Sequence, residues 1–155
     1  MFGDKQINTL NDLSGDITVF CREKVSYNFV KRNFLKGNVY LWHDCAFYNI
    51  FKQIPDGLGI LNTFREDKES IIDNVPEDNN DLSYSGYATK PLDELVNILK
   101  EYKEIHTDRL HIAICGALLG KDVKLFPNSY YKNKAVFEYS LSRFLNVSFL
   151  EENND

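Results

Sequence analysis

Arg109 and His111 stand two residues apart in TDRLH, Thr107 to His111, and their side chains suit the handling of an anion and a proton. A guanidinium presents parallel donors to a carboxylate or phosphate, and an imidazole moves a proton near neutral pH. Thr107 followed by Asp108 reads as a helix start, the hydroxyl accepting from an unpaired backbone N–H and the carboxylate suiting the positive end of the helix dipole. That placement puts Arg109 and His111 in the first turn, where unpaired N–H groups already favour an anion. The alternative is structural: Arg109 pairs with Asp108 or another nearby acid, and His111 is a hydrogen-bonded helix residue. Further along, Asn128, Ser129, Tyr130 and Lys132 in NSYYKNK offer amide, hydroxyl, phenol and ammonium groups for a phosphate or a sugar hydroxyl, or else form an ordinary capping turn. Arg22 can serve as an anion ligand at a strand end or as a surface partner of Glu23 or another acid. Asp44 sits at a second strand end beside His43, with no third ligand at useful spacing, so no metal is expected.

These groups need elements that bring them to one edge. Ile17 to Cys21, ITVFC, is rich in β-branched and aromatic residues and reads as a strand that Arg22 leaves. Val25, Phe29 and Val30 permit a helix from Glu23 to about Phe34. Val39 to Trp42 begins a second strand, with His43 and Asp44 at its end. Gly57 to Phe64 reads as a third, reached through a loop holding Pro55 and Asp56. Pro91 suits a first helical position, with Leu92, Leu95, Val96 and Leu99 on one face. A brief strand over Glu104 to His106 precedes a helix whose inner face is Leu110, Ala113, Ile114, Ala117 and Leu118, and Gly120 supplies its left-handed stop. Val123 to Phe126 reads as a buried strand. The last helix is expected from about Asn133 to Asn146, with Val136, Phe137, Leu141, Phe144 and Leu145 inward, and the terminal EENND frayed. Residues 1–15 carry little pattern. Strands alternating with helices favour parallel crossover units, hence an α/β Rossmann-like three-layer sandwich with a mostly parallel sheet. Ligands gather at the carboxyl ends of such strands, where this reading places Arg22, Asp44, Arg109, His111 and the Asn128 to Lys132 loop.

The chain has 155 residues, 43% of them hydrophobic, enough for a single domain over 1–155 with a sizeable core. Its formal net charge of −5 argues against a nucleic-acid partner bound through bulk charge. The charge is uneven: nine acids lie between Glu66 and Glu94 against Lys68 and Lys90, while five Lys or Arg between Thr107 and Lys134 face only Asp108 and Asp122. The second stretch is a local cationic patch fit for a small anion. Residues 65–90 read as a polar surface excursion, mobile or wrapped over the domain. Cys21, Cys45 and Cys115 lack the paired spacing of a zinc or redox site, which points to a reducing compartment. With no apolar run long enough for a membrane span and no signal-peptide pattern at the start, a cytoplasmic location is expected. GxxxxGK[ST], GxGxxG and GxSxG are all missing, which weakens nucleoside-triphosphate and serine-hydrolase readings.

TDRLHIAICGALLGK, the strand after it and NSYYK resemble the carboxyl-terminal lobe of the polysaccharide pyruvyl transferase family. CREKVS at Cys21 to Ser26 is similar to that family's R-[DE]-x-x-S strand exit, Asp44 with Ala46 to its D-x-A, and LNTFREDKES at Leu61 to Ser70 to its FR-x-D-x-E segment. The matches fall in order over about residues 16–140. The resemblance implies one lobe of a two-lobed, glycosyltransferase-like architecture that transfers an enolpyruvyl-derived group from phosphoenolpyruvate to a sugar hydroxyl, in polysaccharide or envelope glycan biosynthesis, with no cofactor. By position it implies that Arg22 and Arg109 hold the carboxylate and phosphate, that His111 is general acid or base, and that Ser129 and Lys132 contact phosphate or acceptor. Members carry an amino-terminal lobe with its own glycine-rich turn, so a separate lobe or a homo-oligomer is an expected partner. The competing readings are a non-catalytic binding or assembly module built from that lobe, and half of a nucleotide-sugar glycosyltransferase.

Overall fold

The computed structural model describes residues 3–51, 57–82 and 92–151. Pro55, Asp56, Pro91, residues 83–90 and most of the terminal EENND lie outside the described residues. The fold is α/β, with strands and helices alternating and every ladder among the described residues parallel, as in a Rossmann-like three-layer fold. Residues read as one domain from the sequence gather into two compact units, Met1–Asp44 and Cys45–Asp155.

The first unit contains α1 (Asp4–Asp12), β1 (Ile17–Cys21), α2 (Lys24–Asn33) and β2 (Gly37–Leu41). β1 and β2 pair in parallel from Ile17 opposite Gly37 to Cys21 opposite Leu41. Ile7, Cys21, Val30, Phe34 and Val39 form its core. The β1 to α2 turn is held by Glu23, whose buried carboxylate accepts from the amides of Val25 (2.5 Å) and Ser26 (2.8 Å), satisfying two orphan donors of the helix start. Val25, expected inward, is exposed. α1 escaped the sequence reading because Ile7 alone of its residues is fully buried.

The second unit is built on β3 (Ile60–Asn62), β4 (Glu104–Thr107), β5 (Asp122–Leu125) and β6 (Val147–Phe149), hydrogen-bonded in that order. α3 (Leu92–Leu99), α4 (Leu110–Leu118) and α5 (Lys132–Tyr139) make the crossovers. Burial alternates along β4 and β5: Ile105, Thr107, Val123 and Leu125 are buried, whereas Glu104, His106 and Lys124 on the opposite face are partly covered. α4 is apolar almost all round, as suits a helix packed on more than one side, and His111 is its one exposed residue. Gly116 lets it approach the sheet, because a Cβ there would lie 2.9 Å from both Ile105 Cδ1 and Val123 Cγ2. Gly120 ends the turn after it with φ 78°, as its position in the sequence predicts.

The third strand is shorter than expected, Ile60–Asn62 within the Gly57 to Phe64 run, and two further boundaries differ. Thr107 ends β4 and does not cap the helix with its neighbours in the first turn; α4 begins at Leu110 with Arg109 as its N-cap residue. The last helix stops at Tyr139, a short 3-10 turn covers Leu141–Arg143 where helix was expected, and β6 follows just past the expected helix end, where no strand was read. Val136 and Leu141 are buried as read from the sequence, but Leu145 is fully exposed because it lies beyond the helix end.

The described part of the acidic segment is tied to the sheet. Asn79 accepts from the amide of Phe64 (2.7 Å) and donates to its carbonyl (3.0 Å), and the Asn80 amide donates to the carbonyl of Asn62 (2.9 Å). Asp81 and Leu82 are buried at its far end.

Candidate functional site

In the first unit two of the expected site residues, Arg22 and Asp44, meet each other, a pairing the sequence did not specify. Arg22 leaves the carboxyl end of β1, Asp44 lies just past that of β2, and the guanidinium Nη1 donates to Asp44 Oδ2. The Asp44 side chain is 4% exposed and that of Arg22 36%, so the carboxylate is embedded and the guanidinium faces partly outward.

In the second unit the residues converge on the turn between β4 and α4. Thr107 Oγ1 donates to the carbonyl of Thr63 (2.8 Å) and accepts from the Arg109 amide (3.0 Å), fixing the angle at which the chain leaves the sheet. Asn133 Nδ2 donates to the carbonyls of Asp108 (2.6 Å) and Phe126 (3.1 Å), lashing this turn to the end of β5. The Arg109 side chain is 13% exposed and makes a bidentate contact with Asp81, Nε to Oδ1 at 2.6 Å and Nη2 to Oδ2 at 2.5 Å; Nη2 also lies 3.4 Å from Asp67 Oδ2. Asp67 accepts twice from Arg65, at 2.9 and 3.1 Å, and Arg65 also pairs with Glu69. Two arginines and three carboxylates thus share one network.

The electrostatics follow from that wiring. Burial opposes the Arg109 charge, yet the hydrogen bonds and charge of Asp81, with Asp67 and Asp108 beyond, raise its pKa above the ordinary arginine value. Burial pushes the Asp67 carboxyl up, but donation from the Arg65 side chain and the Glu69 amide, with the charges of Arg65 and Arg109, holds it below the usual carboxylate range. Asp108 goes the other way: it is fully buried, its Oδ1 accepts from the Arg65 amide (2.9 Å), and its Oδ2 has no partner among the described residues. Burial therefore raises its pKa against the pull of the nearby arginines.

The cationic excess read from the sequence between Thr107 and Lys134 is countered in the fold. Asp67 and Asp81 meet Arg109, Glu104 meets Lys124, Glu151 meets Lys134, and the buried Lys121 donates to the carbonyl of Lys100 (3.0 Å). His111 lies on the exposed side of α4. Asn128, Ser129 and Tyr130 line a cleft of about 360 Å³ beside the loop between β5 and α5, and the Lys132 ammonium lies over the Tyr130 ring at 5.4 Å. Arg22 and Asp44 belong to one unit and the other expected site residues to the other.

Asp67, Asp81 and Asn133 were not singled out from the sequence. Arg65, Asp67 and Glu69 were in view only as a motif, although their alternate spacing puts two acids within reach of one arginine. Asp81 carries no local signal, being 28 residues from the arginine it binds.

In each unit an arginine just past the carboxyl end of a parallel strand is met by a carboxylate from another stretch of chain, within an α/β fold. A family model described as polysaccharide pyruvyl transferase matches residues 11–130, and the chain belongs to that family. The chain is also similar to a crystal structure of a functionally uncharacterised protein from Klebsiella pneumoniae subsp. pneumoniae, with 32% identity and a TM-score of 0.65 over 95% of this chain. It spans 58% of the length of that protein. None of the curated proteins compared with the chain matches it significantly.

Proposed function

We propose that this chain supplies the anion-binding wall of a pyruvyl transfer site, with phosphoenolpyruvate as donor and a sugar hydroxyl as acceptor. The observation that carries the reading is the Arg109 fork at the carboxyl end of β4, inside the family match and bracketed by aspartates instead of being buried against apolar groups. An incoming carboxylate or phosphate takes over donors that Asp81 and Asp67 now hold. Arg22 is the second anion ligand, taken over from Asp44 in the same manner. His111, exposed at the start of α4, is the acid or base.

The chemistry asks for these groups. Protonation of the methylene carbon of phosphoenolpyruvate builds cationic character at C2, a sugar hydroxyl adds there and loses its proton, and the C2–O bond to phosphate breaks. A second hydroxyl closes the pyruvate ketal. Of the two hydroxyl protons, one replaces the proton given to the methylene carbon and the other leaves with inorganic phosphate. Arginines stabilise the departing phosphate, and the His111 imidazole serves both transfers. A second lobe or a second copy completes the acceptor side.

Calorimetry with phosphoenolpyruvate and a phosphate-release assay, on the chain alone and with any adjacent lobe, test this directly. Arg109→Ala is expected to weaken phosphoenolpyruvate binding at least about tenfold, whereas His111→Ala spares affinity and lowers turnover. No binding and no phosphate release under any of these conditions would discard the reading. The closed carboxylate network around Arg109 favours one alternative, a non-catalytic module in which those charges hold structure together.

A further inference from the structure

Asp108 sits within the arginine cluster yet bonds no guanidinium among the described residues. Its Oδ1 accepts from the Arg65 amide (2.9 Å), and its Oδ2 is the one buried side-chain oxygen or nitrogen among the described residues that lacks a partner. Such an oxygen is costly on a carboxylate and far less so on a carboxylic acid, whose charge is gone. Asp67, Glu69 and Asp81 already set three carboxylates against the guanidiniums of Arg65 and Arg109. An anion drawn to Arg109 adds negative charge to that balance. Of the four acids, Asp108 is the one that can shed its charge without taking a partner from an arginine. Burial acts in the same direction, raising its pKa against the pull of Arg65 and Arg109.

Its position gives it leverage over the site. Through the Arg65 amide, Asp108 ties the segment after β3 to the turn that carries Arg109, and Arg65 in turn holds Asp67 (2.9 and 3.1 Å), which reaches Arg109 Nη2 (3.4 Å). The charged groups acting on it are Arg65 from the segment after β3 and Arg109 at the start of α4, with Asp67 and Asp81 beyond those arginines. The contact from α5 is neutral: Asn133 Nδ2 donates to the Asp108 carbonyl (2.6 Å). We propose that Asp108 is a proton-coupled positioning residue of the anion site: it holds the Arg65 amide throughout, and the site takes its anion with Asp108 neutral, drawing a proton from solvent wherever Asp108 was ionised. The assignment adds control by pH to the arginine site and rests on the pyruvyl transfer reading.

The test uses the full chain. Phosphoenolpyruvate is titrated by calorimetry into the parent and Asp108→Asn from about pH 4.5 to about pH 8, in buffers of different ionisation heat, so that affinity and proton uptake are read together. Protons exchanged by the ligand itself cancel between the two proteins. Asparagine keeps an acceptor for the Arg65 amide and stays neutral throughout. At the alkaline end the parent is expected to bind about tenfold more weakly than Asp108→Asn, a gap that closes as pH falls; its extra uptake peaks at about half a proton per ligand in between, as linkage requires of such a gap. Asp108→Ala lacks the acceptor and is expected to bind more weakly than Asp108→Asn at every pH, which a pure charge effect would not produce. Equal uptake with an affinity ratio that ignores pH would overturn the coupling, and equal binding by the two variants would overturn the positioning. Should Asp108→Ala not fold, the pH pattern of Asp108→Asn decides alone. If phosphoenolpyruvate binds at no pH, the donor reading falls and inorganic phosphate replaces it as probe; the same pattern then upholds the role of Asp108, and its absence discards it.

Discussion

Arg22 directly follows the last residue of β1 and Arg109 stands two beyond the last residue of β4, and each meets a carboxylate from a distant stretch of chain. In the first unit the Arg22 guanidinium meets the buried Asp44 carboxylate and is 36% exposed. In the second, two arginines and three acids interlock, and Arg109 is 13% exposed. The same motif of arginine at a strand end therefore does two physical jobs. A guanidinium that is about a third exposed can be hydrated in part when its acid is lost, because water reaches it. A guanidinium embedded among acids has less help from water, so removing one partner strands a charge unless another anion takes its place.

The largest expected consequence of that contrast is Asp81→Ala, which leaves Arg109 short of its bidentate partner and is expected to cost ~3 kcal/mol or more in chemical denaturation. Asp44→Ala is expected to cost about 1 kcal/mol, since Arg22 turns to solvent. Equal costs would dissolve the distinction between the two sites. Asp108→Asn sharpens the comparison on the pH axis. Because its raised pKa keeps Asp108 protonated in the folded chain where the unfolded chain has already ionised, stability falls as pH rises through that interval, above the ordinary value of 3.8. Asparagine keeps an acceptor for the Arg65 amide and is expected to erase that slope, as denaturation midpoints across the acid range would show. Asp67 acts in the opposite sense: its lowered pKa adds stability present above 3.8 and lost as pH falls through the lowered value. The smallest effect belongs to Lys134→Ala, whose pair with Glu151 is solvent-exposed on both sides; no resolvable shift of the denaturation midpoint is expected.

Much of this was legible before the fold was known. β1, α2, β4, α4 and β5 follow from β-branched runs, helical spacing and the Gly120 stop, all of which act over a few residues. The arginines could be placed at strand ends by the same means. What holds them could not, because Asp67 and Asp81 lie 42 and 28 residues from Arg109 and nothing in their neighbourhood marks them as its partners. Thr107 misled for a related reason: its hydroxyl does accept from an amide, but the carbonyl of Thr63 on the neighbouring chain segment keeps it in the sheet. β6 was hidden by its length of three residues and by Ser140, whose backbone breaks the helical run before it.

The outermost strands of the four-stranded sheet, Ile60–Asn62 and Val147–Phe149, are only three residues long, and the Asn80 amide already occupies the carbonyl of Asn62. Edges so brief present few vacant backbone groups, and a foreign strand laid against either would gain a rung or two before running out of partners. Resistance to edge-to-edge aggregation is thus written into the shortness of these two strands.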